Sequence, residues 1–82
     1  MDFSSFRTKI ASVPDRERLV VELWYLTEMV AEANVEEGSL VFELHPRQGG
    51  GPWQIPADVL SDFMQFAAHE LHAVLATERG DA

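Results

Sequence analysis

The residues best suited to chemistry lie together near the C-terminus, in the segment "FAAHELHAVL" (66–75). His69 and His72 are three positions apart, so on an α-helix they share one face, and two imidazoles at that spacing can approach one metal ion. Zinc proteases instead place two histidines four positions apart, with a glutamate directly after the first. The segment therefore raises the hypothesis of a metal site without matching that enzyme motif.

Further ligands for the two histidines are poorly placed along the sequence. Asp62 falls on the same helical face but is roughly 10 Å away along the helix axis, and Gln65 is a poor ligand for zinc. Glu70 points towards the apolar side of the helix, so a third ligand would have to be His45 or Glu43, or come from a second chain. We therefore predict no metal site, and instead a secondary contact face made of Asp62, Gln65, His69 and His72.

Other catalytic patterns are missing from the sequence. The glycine segment "QGGGP" lacks the lysine and the serine or threonine of a phosphate-binding loop. The serines and threonines have no evident histidine and acid to activate them, and there is no cysteine. The sequence predicts a protein that is not an enzyme and needs no cofactor.

Size and composition predict one small soluble domain. The chain has 82 residues, of which 46% are hydrophobic, which is enough for one core. The N-terminus "MDFSSFRTKI" does not resemble a signal peptide, and the longest apolar stretch, "LVVELWYL" (19–26), is too short to cross a bilayer. Together with the lack of cysteine, this favours the cytoplasm. Because so small a domain buries little surface, we also expect a homodimer.

The distribution of charge favours a basic protein partner. The net charge is −8, and residues 19–46 contain acids but no lysine or arginine. Such a surface repels phosphate backbones and anionic lipid, so we expect binding to neither nucleic acid nor membrane. The alternative is that the acids only keep the protein soluble.

The first half of the chain predicts two helices. Phe3, Phe6 and Ile10 have helical spacing, which indicates a short helix over residues 3–11. A long helix is predicted over residues 14–36, begun by the "SVPD" cap that contains Pro14 and Asp15 and stopped by Gly38. Its buried stripe consists of Leu19, Leu23, Leu26, Val30 and Ala33. A strand over "RLVVELWYL" is the competing interpretation, because valine, tryptophan and tyrosine favour sheets.

The second half predicts a β-hairpin and a last helix. "SLVFELH" (39–45) alternates as a half-buried strand does, and "PWQIP" (52–56) offers a second strand after the glycine loop. A helix is predicted over residues 57–78, before a frayed tail at 79–82. Its core stripe consists of Leu60, Phe63, Ala67, Leu71 and Val74. The predicted fold class is α+β in the order ααββα, with the helices packed on a small antiparallel sheet.

The predicted long helix would present an apolar line inside an acidic surface. Val21, Tyr25 and Met29 recur at four-residue steps on its polar side. An apolar line with an acidic rim suits a partner that is apolar at the centre and basic at its edge. The alternative is that this line packs against the protein's own hairpin. The predicted partner-binding residues are Val21, Glu22, Tyr25, Glu28, Met29, Glu32 and Glu36.

In general character, the small size and acidity are similar to those of proteins that block another protein, such as bacteriocin immunity proteins, antitoxins and phage-encoded inhibitors. No sequence motif supports this similarity, so it assigns no residue. The predicted function is a small acidic, non-enzymatic protein-interaction module. A metal-binding protein that uses His69 and His72, and a purely structural homo-oligomeric subunit, are the alternatives.

Overall fold

Four strands precede two helices in the computed structural model, which describes residues 3–13 and 18–80. The α+β class is confirmed, but the predicted order ααββα is wrong. After a 3-10 turn at Phe3–Ser5, the elements are β1 (Phe6–Val13), β2 (Arg18–Tyr25), β3 (Glu28–Glu36), β4 (Ser39–Leu44), α1 (Ala57–Glu70) and α2 (His72–Glu78).

The strands form one antiparallel sheet in the order β1-β2-β3-β4. One row of paired residues runs from Ile10 through Val21 and Ala33 to Phe42. The tight turn between β3 and β4 uses Glu37 and Gly38 at φ 51° and 76°. Two consecutive positive φ angles match the two-residue turn that the twist of antiparallel strands prefers. Gly38 therefore turns a hairpin and does not end a helix.

Both helices predicted in the first half are wrong. Residues 6–13 form β1, and residues 18–36 form β2 and β3, so the strand interpretation of "RLVVELWYL" is correct. Its apolar residues are nearly continuous because Val20, Val21 and Leu23 are all buried, on both sides of an inner strand. The proposed capping residues Pro14 and Asp15 lie outside the described residues.

The pairing between β2 and β3 contains an irregularity, which makes the apolar pattern of this segment look more helical. Leu23 pairs with Ala31 and Trp24 with Met29, which leaves Val30 as an extra residue in β3. Such a β-bulge interrupts the strict alternation of side chains. The strand alternation is therefore broken inside the segment that was predicted to be helical.

The last predicted helix is confirmed, with one interruption. α1 begins after Pro56, and Leu71 separates it from α2. Of the predicted stripe, Phe63, Ala67 and Leu71 are buried and Val74 is partly buried, whereas Leu60 is 37% exposed. In the described part of the chain, neither helix combines the length and apolarity needed to cross a membrane.

The second predicted strand does not form. Residues 52–56 make an irregular segment. The hairpin that contains β4 is formed with β3. Trp53 still has a defined position, because its indole Nε1 donates a hydrogen bond of 2.9 Å to the backbone oxygen of His45. Its ring lies 6.2 Å from that of Tyr25.

The core lies between one face of the sheet and the two helices, and we call that face the covered face. α1 packs on β2 and α2 on β3. The ring of Phe63 lies 5.7 Å from that of Phe42, at a steep angle typical of aromatic pairs. The sheet residues that contribute to this core are Phe6, Val21, Leu23, Tyr25, Val30, Ala31, Ala33, Val35, Leu40 and Phe42.

Candidate functional site on the open face of the sheet

The side of the sheet that faces away from the helices lies outside this core, and we call it the open face. Because side chains alternate along a strand, every second residue points away from the helices. Within the described residues, no member of this face belongs to the core cluster. Its members are Arg7, Lys9, Ala11, Val20, Glu22, Trp24, Met29, Glu32, Asn34, Glu36, Ser39, Val41 and Glu43.

Three carboxylates lie side by side across the open face. Glu22 pairs with Glu32, and Glu32 pairs with Glu43, so β2, β3 and β4 each contribute one acid at the same level. We call these three residues the acidic row. Directly opposed side chains in antiparallel strands have Cβ atoms about 4.5–5.5 Å apart, and like charges at that distance destabilise a sheet. The row is therefore an electrostatic cost to the fold.

Neutral hydrogen-bond donors hold the carboxylates in place. The side-chain Nδ2 of Asn34 donates to Glu32 Oε2 at 2.9 Å and to Glu43 Oε1 at 3.0 Å. The indole Nε1 of Trp24 donates to Glu22 Oε1 at 3.0 Å. Amide and indole donors orient a carboxylate without cancelling its charge. The row is thus fixed in position and still anionic.

Asn34 is the buried centre of this arrangement. Only 1% of its surface is exposed, and its buried Oδ1 has no hydrogen-bond partner within residues 3–13 and 18–80. An unmatched buried acceptor costs free energy, and an amide whose two hydrogens serve two carboxylates has no freedom to turn and satisfy it. The surroundings of Asn34 are therefore rich in acceptors and short of donors.

A single lysine extends the acidic row at the other edge of the sheet. Lys9 of β1 pairs with Glu22, and its Nζ lies 5.8 Å from the centre of the Trp24 ring. A cation at that distance is attracted by the face of the ring. One ammonium faces three carboxylates, so the row keeps a net negative charge.

The structure separates the predicted partner-binding residues into two groups. The helical line does not exist: Val21 is buried at 0% exposure, and Tyr25 packs on the covered side against Phe6, with ring centres 4.9 Å apart. Glu28 lies opposite Tyr25, and its carboxylate accepts a hydrogen bond from the backbone nitrogen of Gln48. The remaining four lie together on the open face: Glu22, Met29, Glu32 and Glu36.

Sequence reasoning did not assign Trp24 or Asn34 to this site, and it considered Glu43 only as a metal ligand. The alternation of side chains along a strand would have identified Trp24. Once residues 18–25 are taken as a strand, Glu22 and Trp24 lie on the same face. The cross-strand pairing that adds Asn34 and Glu43 depends on the turn and the bulge, which sequence alone did not locate.

The predicted secondary contact face lies on the helices, away from the open face. Asp62, Gln65, His69 and His72 are all exposed. Gln65 Nε2 donates to Ser61 Oγ at 3.0 Å. Among residues 3–13 and 18–80, no group of three or more histidines, aspartates and glutamates is arranged to hold a metal ion.

The structure places both residues that were proposed as a third metal ligand away from the two histidines. Glu43 lies on the open face, on the other side of the sheet from the helices, and holds Asn34. His45 follows β4 directly, and its buried Nε2 has no hydrogen-bond partner in the part of the chain that the structure describes. The structure therefore does not bring either residue into a cluster with His69 and His72.

Comparisons with protein-family models, with curated proteins and with solved structures found no match to this chain.

Proposed function

We propose that the protein is a non-enzymatic binding module that docks a basic segment of another protein on its open face. The observation that supports this proposal is the acidic row, in which three adjacent carboxylates are oriented by Asn34 and Trp24. Like charges held side by side destabilise the isolated fold, and a cationic partner relieves that cost.

An arginine or lysine from a partner suits the row chemically. A guanidinium presents several N–H donors in one plane, which match the oxygens of Glu32 and Glu43, and such charge-assisted hydrogen bonds are stronger than neutral ones. The half-buried Trp24 and Met29 border the row on the same face. Aromatic residues and methionine are enriched in protein interfaces relative to the rest of the surface.

The proposed module belongs in the general class of small acidic proteins that block a basic partner. The net charge of −8 favours rapid encounter with basic surfaces and opposes binding to nucleic acid or anionic membranes. A chain without cysteine suits a reducing compartment, so we propose that it acts in the cytoplasm.

A binding experiment with matched charge variants tests this proposal. The probe is a fluorescent extended peptide of alternating arginine and threonine, with a peptide of alternating glutamate and threonine as its negative counterpart. The site variant is Glu32→Gln with Glu43→Gln, because glutamine keeps an acceptor for Asn34 while it removes the charge. The control variant is Glu37→Gln with Glu70→Gln, which changes the net charge equally at an exposed turn and on a helix.

We expect the site variant to bind the arginine peptide roughly tenfold more weakly than wild type, which corresponds to about 1.4 kcal/mol. The control variant should stay within about a factor of two of wild type, because charges far from the site are screened by salt. Equal weakening in both variants would mean that net charge alone attracts the peptide. No saturable binding by the wild-type protein would reject a basic partner.

A further inference from the structure

We infer that copies of this chain associate by pairing β4 of one copy with β1 of the next, with Leu44 seated in a groove beside β1. The inference concerns the two edges of the sheet and does not depend on the proposed binding of a basic partner on the open face.

Both outer strands have an unpaired edge. β1 and β4 each pair with one neighbour, and across residues 3–13 and 18–80 no backbone hydrogen bond joins their outer sides to another segment. The two edges differ in protection: β1 carries Arg7 and Lys9, whereas β4 is short and mostly apolar. Charged residues protect an edge from pairing with itself, while an apolar edge favours pairing.

Leu44 is an apolar projection on the edge formed by β4. It pairs with the buried Ala31 and so points to the covered side of the sheet, yet 71% of its surface is exposed. No other large hydrophobic residue among those described is as exposed. A leucine in this position gains burial only if another surface covers it.

The edge formed by β1 offers a matching groove on the same side of the sheet. An open depression of about 220 Å³ lies between β1 and α1, and its apolar walls come from Phe6, Leu23 and Val59. Arg7, Thr8 and Asp62 complete its lining. Because α1 packs on β2, the helix leaves this margin of β1 uncovered.

The existing rows of the sheet fix how the two edges would meet. Thr8, Leu23, Ala31 and Leu44 form one row on the covered side. If a second copy continues the antiparallel sheet at the same level, its Leu44 falls opposite Thr8, beside the groove. The same alignment places its Phe42 opposite Ile10, which is 43% exposed in the isolated chain.

Charge supports the same alignment on the open face. With Leu44 opposite Thr8, Glu43 of the second copy falls opposite Lys9. An opposite-charge pair directly across two strands stabilises their pairing by about 0.2–1 kcal/mol. The acidic row remains uncovered in this assembly.

Pairing each edge with itself is less favourable. Two copies of β1 would bring their Arg7 and Lys9 side chains close together on one face, and like charges oppose such pairing. Two copies of β4 would form no charge pair and would leave the groove beside Phe6 empty. Since the favoured contact uses different edges on the two copies, it is heterologous and can add further copies.

The absence of native cysteine allows a direct test by disulfide trapping. The alignment places Ala11 of one copy opposite Val41 of the next. Directly paired residues have Cα atoms about 4.5–5.5 Å apart, which permits a disulfide. Within one copy the two residues lie on opposite edges, three strand spacings or roughly 14 Å apart, which does not.

We expect an equimolar mixture of Ala11→Cys and Val41→Cys proteins to form a mixed disulfide dimer under mild oxidation. Each single variant alone should form little covalent dimer, because its cysteine then has no cysteine opposite it across the contact between β4 and β1. Preferential cross-linking of Val41→Cys with itself would show that β4 pairs with β4, and preferential cross-linking of Ala11→Cys with itself would show that β1 pairs with β1. Either result, or no cross-link in the mixture, would overturn the inference.

Sedimentation of the full chain supplies a second measurement that needs no cysteine. Leu44→Asp should weaken association roughly tenfold or more, because it places a charge against the apolar groove. Leu26→Asp is the matched control, since Leu26 is also exposed but lies in the turn between β2 and β3. A wild-type protein that stays monomeric at every concentration, or equal weakening by both changes, would reject the interface.

Discussion

The two faces of the sheet each contain fully buried residues, but different neighbours surround them. Val21, on the covered face, is 0% exposed and lies in the apolar core cluster. Asn34, on the open face, is 1% exposed and lies between the carboxylates of Glu32 and Glu43. Burial alone therefore does not show what a residue does. The covered face stabilises the fold through apolar contact, whereas the open face holds charges whose mutual repulsion opposes folding.

The largest effect should come from the covered face. Phe63→Ala removes a fully buried ring that contacts Phe42, and we expect it to lower the free energy of unfolding by about 3–5 kcal/mol. Urea denaturation measures the loss. The control is Met64→Ala on the same helix, where 44% of the side chain is exposed and the loss should be roughly 1 kcal/mol or less. Similar losses for the two variants would contradict the assignment of this face as the core.

Asn34→Ala should have the next largest effect, and that effect should depend on salt. The change removes the donors shared by Glu32 and Glu43, and we expect a loss of about 1–3 kcal/mol in low salt. Added salt should reduce the loss, because it screens the repulsion between the carboxylates. Gln54→Ala, at an exposed position before α1, controls for removal of an amide. A loss that salt leaves unchanged would mean that Asn34 acts through packing alone.

A substitution where the end of α2 contacts the turn between β3 and β4 should have an intermediate effect on the free energy of unfolding. Gly38 has φ 76°, and a Cβ added there would lie 3.4 Å from Cγ of Arg79, whose Nε donates to the Gly38 oxygen at 2.8 Å. We expect Gly38→Ala to cost about 1–2 kcal/mol in thermal or urea unfolding. Gly49→Ala has a similar φ with open space around it, so it measures the backbone cost alone. If Gly38→Ala costs no more than Gly49→Ala, the Cβ at position 38 is not crowded by Arg79.

The smallest effect should have the opposite sign. Glu32 lies between Glu22 and Glu43, so Glu32→Gln removes two unfavourable like-charge contacts while it keeps an acceptor for Asn34. We expect the free energy of unfolding to rise by a few tenths to about 1 kcal/mol. Glu37→Gln, at the exposed turn, should change stability much less. A lower stability for Glu32→Gln would show that the acidic row stabilises the sheet.

Most of the C-terminal half was predictable because its signals are local, although the strand predicted over residues 52–56 did not form. The helix over 57–78 has a strong apolar stripe and follows Pro56, and the strand from residue 39 shows clear alternation. Both were confirmed, apart from the break at Leu71. The first half failed because its turn signal is weak: Leu26, in the loop between β2 and β3, has φ 54°. That conformation is rare for a bulky residue, so no glycine or asparagine marked the turn.

The candidate site was predictable only in part for the same reason. Glu22 and Glu32 were singled out because they lie in a base-free acidic segment, and they do lie on one face. That face belongs to a sheet and not to a helix, so the predicted apolar line through Val21 and Tyr25 does not form. Glu43 and Asn34 join the site through pairing between strands that are distant in sequence, and register is set by turns and bulges that local patterns do not reveal.

The most direct test of the open face as the binding surface is a titration with the basic arginine–threonine peptide, followed by nuclear magnetic resonance. The indole Nε1–H of Trp24 and the side-chain amide of Asn34 report on the row, because both donate to its carboxylates. We predict that these two signals and the backbone amide of Glu32 shift saturably, while amides of α1 and α2 move little. Saturable shifts confined to the helices, with the signals of Trp24 and Asn34 unchanged, would contradict binding at the acidic row.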